Sequence, residues 1–257
     1  MTQAERRIYL IQRLSAEQPR YKGIPIPSGE TEQKRLLRAL LNLRPPQAAC
    51  ADFLNVQDDY LREEIASKGV ADLSALSPIA KDIYLRQGDI TTLRCDAIVN
   101  AANAGLLGCF CPCHGCIDNA IHTYAGIQLR LECAEIMKKQ GYAEPIGRAK
   151  LTEAYNLPCR FILHTVGPTV VGSVTEKDEE QLTACYRSCL ELAEREGIRS
   201  IAFCCISTGE FHFPNERAAE IAIKTVRDYK AQTNSKLEVI FNVFKDFEYE
   251  IYRRLLG

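Results

Sequence analysis

Ser200-Ile201-Ala202-Phe203-Cys204-Cys205-Ile206, continued by Ser207-Thr208-Gly209-Glu210-Phe211-His212-Phe213-Pro214, is the stretch on which the architecture turns. Its first seven residues form an almost unbroken apolar run without helical or alternating period, as in a strand buried on both faces. A polar loop follows. Pro214 then opens a helix to Lys230, since proline is tolerated at a first helical position. Residues 237–244 repeat the buried-strand pattern, and residues 247–256 read as a closing helix. Upstream, residues 178–196 place Leu182, Cys185, Cys189 and Leu192 on one helical face, with Gly197 at the end. Short strands are expected at 83–85, 96–100, 149–154 and 160–165, and continuous helical periodicity over 117–140. Strands alternating with helices predict an α/β fold, with a mixed, largely parallel sheet between helices.

Residues 1–77 differ. They read as three helices, 4–16, 30–43 and 52–67, separated by a proline-rich turn at 19–29 and by Pro45-Pro46. Ser28 is the candidate cap of the second. Their charges nearly balance and no chemistry stands out, so this part is expected to be a helical N-terminal extension packed on a main domain covering 78–257. The 257 residues carry a net charge of −1, with 46% hydrophobic and 25% charged residues. That balance argues against a nucleic-acid or anionic-membrane partner. No apolar run approaches a membrane span, and the N-terminus lacks the pattern of a signal peptide. The twelve cysteines therefore read as reduced thiols of a cytoplasmic protein rather than a disulfide scaffold. Cys95, Cys133, Cys159, Cys185, Cys189, Cys204 and Cys205 lie in apolar segments and read as small buried hydrophobes.

The P-loop, G-x-G-x-x-G, G-x-S-x-G and H-E-x-x-H patterns are all absent. Four other segments carry candidate chemistry. Gly88-Asp89-Ile90-Thr91 follows a strand, where open α/β sheets bind ligands; an Asp there could accept from an exocyclic amine, or simply form a turn. Val99-Asn100-Ala101-Ala102-Asn103 ends a second strand with two amides flanking a small surface. The Ser207–Pro214 loop could gather backbone N–H groups into an anion-binding nest. Gly108-Cys109-Phe110-Cys111-Pro112-Cys113-His114-Gly115-Cys116 sets four thiols and an imidazole in nine residues, a donor density that suits zinc and that no core requires. A redox C-x-x-C at 113–116 is the competing reading. Asp118 then either caps the helix that follows or stands as a carboxylate beside the metal. His122, alone on that helix, reads as a satisfied structural residue.

In this order, together with Ile117-Asp118, Ala120-Ile121-His122 and Thr165-Val166-Gly167-Pro168, these segments resemble the macrodomain family, the ADP-ribose-binding fold, over about residues 80–257. Where that family has a Gly-rich run, this chain has the Cys/His cluster, as do the zinc-dependent bacterial macrodomains, which also carry a helical N-terminal extension. The resemblance implies a hydrolase that removes mono-ADP-ribose from acidic side chains of modified proteins. Its implied partner is a sirtuin-type ADP-ribosyltransferase and that enzyme's carrier-protein target. It implies that Asp89 binds the adenine amine, with Ile90 supporting through its backbone. Asn100, Ala101 and Asn103 would line the distal ribose. Ser207, Thr208, Gly209, Glu210 and Phe211 would cradle the diphosphate through backbone N–H groups. Cys109, His114 and Cys116 would hold Zn2+, with Cys111 and Cys113 as extra thiols, and Asp118 would be the catalytic carboxylate. An O-acetyl-ADP-ribose deacetylase and a non-catalytic ADP-ribose-binding module stay open beside this reading.

Overall fold

A computed structural model describes all residues, 1–257. In chain order the N-terminal region holds α1 (Gln3–Glu17), α2 (Glu30–Leu43) and α3 (Ala51–Ser67). The remainder comprises β1 (Ala71–Asp72), β2 (Ile83–Gln87), β3 (Leu93–Arg94), β4 (Ala97–Ala102), α4 (Ile117–Ala125), α5 (Ile127–Gln140), β5 (Ala149–Glu153), β6 (Phe161–Val166), α6 (Glu176–Arg195), β7 (Ser200–Phe203), α7 (Asn215–Thr233), β8 (Glu238–Val243) and α8 (Asp246–Leu256).

Six strands form one sheet in the order β2-β8-β7-β4-β6-β5, and β1 pairs separately with β3. All the pairings are parallel except β5 with β6. A parallel sheet must be covered on both faces, which is why β4, β6, β7 and β8 are almost entirely buried. Helices α6, α7 and α8 pack side by side as one layer, and α4 and α5 lie against β4 and β5. The expected α/β sheet between helices is therefore present, with the helical N-terminal region beside it. No helix is long and apolar enough to cross a membrane.

Four local expectations need correction. The apolar run at 200–206 yields a strand only to Phe203, because the pairing of β7 with β8 ends there. Cys204 and Ile206 stay buried as the chain turns away, so the run reports burial rather than strand length. The helix expected over 117–140 breaks at Gly126 (φ +99°), where a Cβ would lie 2.7 Å from the Gln57 amide of α3. Gln57 accepts the Ile127 N–H at that break (3.0 Å), so the interruption is where the N-terminal helices dock. Helix α2 is capped at Gly29 without a side-chain bond, not by Ser28, and Pro214 sits at the cap of α7 rather than inside it.

All twelve cysteines are free thiols. Cys133, Cys159, Cys185, Cys189 and Cys204 are buried as expected, whereas Cys95 and Cys205 are half-buried. The main core holds 48 buried residues. A second cluster of 10 unites α1, α2 and α3 with Ile127 of α5. Arg130 of α5 fixes that junction: its guanidinium donates to the carbonyls of Leu41, Asn42 and Arg44, satisfying the orphan end of α2.

Candidate active site

The carboxyl ends of β2, β4, β6 and β7 open toward one edge, and the four sequence segments lie there. Asp118 is the second residue of α4. It does not cap the helix: the cap is Cys116, whose Sγ accepts from the Asn119 N–H at 3.4 Å. Instead Asp118 is held from the sheet side. Its Oδ1 accepts from Asn100 Nδ2 (2.8 Å) and its Oδ2 from Asn103 Nδ2 (3.1 Å). Burial pushes its pKa up to about 6, against the lowering influence of Asn100, Arg130 and Asn103. A carboxylate so poised can take a proton near neutral pH.

Asn100 is fully enclosed. Its amide nitrogen is committed to Asp118 and to His164 Nδ1 (3.1 Å), so it supports the carboxylate from behind rather than lining a surface. The physical reason is the strand period: residue 100 faces inward on β4, while Ala101 is partly exposed. Asn103, beyond the strand, is also partly exposed and ties the next loop by donating to Gly108 O (3.1 Å).

His122 is not the satisfied structural residue that the sequence suggested. It is buried, neither ring nitrogen has a hydrogen-bond partner, and Nε2 lies 3.6 Å from Asp118 Oδ1. Burial, reinforced by His164 and Arg130, drives its pKa well below 6.5, so it sits neutral beneath the carboxylate. The i,i+4 spacing from Asp118 was the available signal.

Cys109 Sγ, His114 Nδ1 and Cys116 Sγ converge, all within 4.8 Å of one another, with Cys109 and His114 3.6 Å apart. Cys111 is exposed, and the Cys113 thiol turns away to donate to Arg35 O (3.3 Å). These three side chains thus converge, and the two other thiols lie outside the group. The arrangement also divides the C-x-x-C pair, since Cys113 and Cys116 do not face each other within the trio. Burial raises the Cys116 thiol to about 12, and Cys109 beside it adds to the rise. Two thiols and an imidazole whose donor atoms converge this closely are a donor set that fits Zn2+. The outward ring nitrogen of His114, Nε2, lies 3.4 Å from Glu210 Oε1, the carboxylate–histidine arrangement that orients a metal-binding imidazole.

Glu210 belongs to the loop after β7. Ser207 adopts φ +65° and His212 φ +56°, which curls the backbone between them. The turn closes through Phe213 N–H to Ser207 O (2.9 Å) and His212 N–H to Gly209 O (3.0 Å). The N–H groups of Gly209, Glu210 and Phe211 donate to no protein acceptor, the signature of an anion nest. Thr208 departs from the expectation: its N–H and hydroxyl both turn back to Cys205 O (3.5 and 3.0 Å). Gly167 packs beneath, where a Cβ would lie 2.0 Å from Ser207 Oγ; this close approach joins Thr165–Pro168 to the loop.

Asp89, after β2, accepts from Thr91 N–H and Oγ1 (2.9 and 2.6 Å), and its Oδ2 pairs with Lys68 Nζ (3.0 Å). Burial raises its pKa, but the Thr91 hydroxyl and the Lys68 ammonium outweigh that, leaving it an anion below the usual range. Ile90 beside it is buried. Phe244, expected as the end of a buried strand, lies just past β8 and is 70% exposed, beside the end of β2, because the β2–β8 pairing stops at Val243.

An anion nest, a buried carboxylate and a rim carboxylate, all at strand ends of a six-stranded mixed sheet, define a macrodomain. The chain belongs to that family: the Macro domain family model matches residues 99–222. A Treponema medium protein named "Protein-ADP-ribose hydrolase" is 54% identical over 100% of both chains. A Staphylococcus aureus (strain MRSA252) protein of the same name is 47% identical over 95% of this chain and 92% of its own. Among solved structures, the Trypanosoma brucei macrodomain in complex with ADP-ribose is similar at TM-score 0.65 and 33% identity, covering 85% of this chain and 95% of that one. The Oceanobacillus iheyensis macrodomain with ADP matches at TM-score 0.63 and 35% identity, covering 70% of this chain and 93% of that one.

Proposed function

We propose that this chain is a protein-ADP-ribose hydrolase that removes mono-ADP-ribose from acidic side chains, with Zn2+ held by Cys109, His114 and Cys116. One observation carries the reading. The His114–Glu210 contact of 3.4 Å sets the anion nest edge to edge with the three donors. Asp118 enters α4 two residues beyond Cys116. A diphosphate seated on the free N–H groups of Gly209, Glu210 and Phe211 would therefore deliver the ribose attached to it toward Asp118.

The adenine end would meet Asp89, an anion that accepts from an exocyclic amine, with Phe244 offering a stacking face. Asn103 would contact the ribose, while Asn100 holds Asp118. Asp118 would take a proton from a water molecule as its oxygen attacks the anomeric carbon. The bond from that carbon to the Asp or Glu oxygen breaks, and its electron pair leaves on the carboxylate. A bound Zn2+ would supply Lewis-acid polarisation of a ribose oxygen or a water of lowered pKa. The enzyme that provides such a substrate is a mono-ADP-ribosyltransferase.

The test is release of free ADP-ribose from a peptide carrying one ADP-ribose on Glu, run beside O-acetyl-ADP-ribose. Turnover of the peptide is expected. Turnover of the acetyl ester alone would make the chain a small-ester deacetylase. Binding of ADP-ribose with no turnover of either would make it a binding module.

A further inference from the structure

Helix α2 lies in the N-terminal region, yet one of its faces is bonded to the segment that carries the three donors. Arg38 Nη2 donates to His114 O (3.0 Å) and to Asn119 Oδ1 (2.7 Å), and Arg38 Nε also reaches Asn119 Oδ1 (3.1 Å). Asn119 is fully buried and passes the constraint on. Its Nδ2 donates to Cys111 O (3.0 Å) and Cys109 O (3.4 Å), and its backbone N–H to Cys116 Sγ (3.4 Å).

One turn along α2, Asn42 Oδ1 accepts the Cys113 N–H (2.9 Å), while its Nδ2 donates to Thr123 Oγ1 (2.9 Å). Asn42 is itself buried at 1% exposure. Cys113 is a non-glycine residue at φ +55°, immediately before the donor His114. Such a conformation persists only where the surroundings over-determine it. The loop supplies little of that itself: from residues 109 to 116 its one internal backbone bond is His114 N–H to Cys111 O (3.3 Å). Carbonyls 109, 111 and 114 and the N–H of 113 are instead fixed from outside, by Asn119, Arg38 and Asn42.

We infer that Arg38 and Asn42 are positioning residues for the metal-donor loop, so that the N-terminal helices build part of the site rather than merely pack against the macrodomain. Arg38 suits the task because its planar fork reaches two acceptors at a fixed angle. Asn42 suits it because a buried amide can hold Cys113 and Thr123 at once. Partners of this kind orient metal ligands and set affinity without touching the ion. The consequence for zinc rests on the metal reading above; the consequence for the loop does not.

The experiment compares Arg38→Ala and Asn42→Ala with wild type and with Asn42→Asp, which keeps the acceptor for Cys113. Zinc affinity is read by competition with a chromophoric chelator, and ADP-ribose affinity by calorimetry. Hydrogen exchange of residues 109–116 is read in the metal-free protein. The alanine variants should bind zinc roughly 10–100-fold more weakly. Their loop amides should exchange faster, β4 and β7 should exchange unchanged, and ADP-ribose affinity should hold within about twofold. Asn42→Asp should recover loop protection. Unchanged zinc affinity and loop protection would overturn the inference, as would faster exchange spread equally through β4 and β7. If wild type binds no zinc, the metal reading fails by itself, and loop exchange in the metal-free protein still decides whether α2 sets the loop.

Discussion

Asn100 Nδ2 donates to Asp118 Oδ1 at 2.8 Å from a fully enclosed position on β4, so the central strand of the fold aims the carboxylate at the strand-end opening. The same Nδ2 lies 3.1 Å from His164 Nδ1, so one end of the Asn100 side chain meets both groups.

Asp118→Ala should still bind ADP-ribose, because the nest and Asp89 lie on other elements. Its turnover should fall by roughly 10²–10⁴, the range of a lost general acid–base group. Calorimetry beside single-turnover kinetics separates the two effects. Parallel losses of binding and turnover would make Asp118 a structural residue.

Purified protein should hold about one zinc per chain, and a chelator should abolish turnover. His114→Ala should lose both metal and activity. Cys111→Ser and Cys113→Ser should retain the metal, since one thiol is exposed and the other faces Arg35 O. Elemental analysis of the three variants checks this, and loss of zinc from Cys111→Ser would redraw the donor set.

Asp89→Ala should weaken ADP-ribose binding and relax the preference for adenine over other bases, with the rate on bound substrate little changed. Phe244→Ala should also weaken binding, by removing a stacking face of about 1–3 kcal/mol per base, while leaving the preference among bases in place. Affinities for ADP-ribose and for its hypoxanthine analogue measure the effect. An unchanged preference in Asp89→Ala would place the base elsewhere.

The order of elements was legible because strands buried on both faces are apolar runs and helices show their own period. Gly126 was not, since nothing local shows that Gln57 will approach it. The donor loop stood out by composition, and the choice of Cys109, His114 and Cys116 among five donors came from the resemblance. That Cys113 turns outward depends on its left-handed backbone and on Arg35, which lies 78 residues away in sequence. The same distance hid the chemistry of the N-terminal helices: balanced surface charge looked inert, although Arg38 and Asn42 are spent on the donor loop. Asn100, which the resemblance sets along the ribose, is enclosed and bonded to Asp118, a contact that a motif does not reveal because it gives residue type without the packing around the strand.

Acid should destabilise the fold through two buried histidines. Burial lowers His164 to about 3 and drives His122 well below 6.5 in the same way. Both are neutral in the fold, whereas an unfolded chain protonates them near pH 6.5. Their contribution is complete above that pH and is lost as pH falls below it, for His164 between 6.5 and about 3. At pH 5, His164 alone accounts for about 2 kcal/mol. Urea unfolding at pH 7, 6 and 5 should show this decline, and the His164 imidazole should not titrate above pH 5 by NMR. Titration of His122 or His164 near pH 6.5 in the folded protein would contradict it.

Cleavage should be selective for linkage: fast for ADP-ribose on Asp or Glu, slow or absent for Ser or Arg. A carboxylate leaves an anomeric carbon readily because its conjugate acid has a pKa near 4. A serine alkoxide or a neutral guanidine leaves only with a proton delivered by a positioned acid. Asp118 is the buried carboxylate at the site, and it is assigned to the water. Glu210, on the loop after β7, is mostly exposed and its Oε1 lies 3.4 Å from His114 Nε2. His122 is enclosed and neutral beneath Asp118. The site therefore holds one proton acceptor and no second group placed to donate. Peptides carrying a single ADP-ribose on Glu, Ser or Arg, with released ADP-ribose quantified, measure the ratio. Comparable rates on the Glu and Ser peptides would mean that leaving-group ability does not govern this site. Loss of the Ser activity alone in Glu210→Gln would then identify the missing acid.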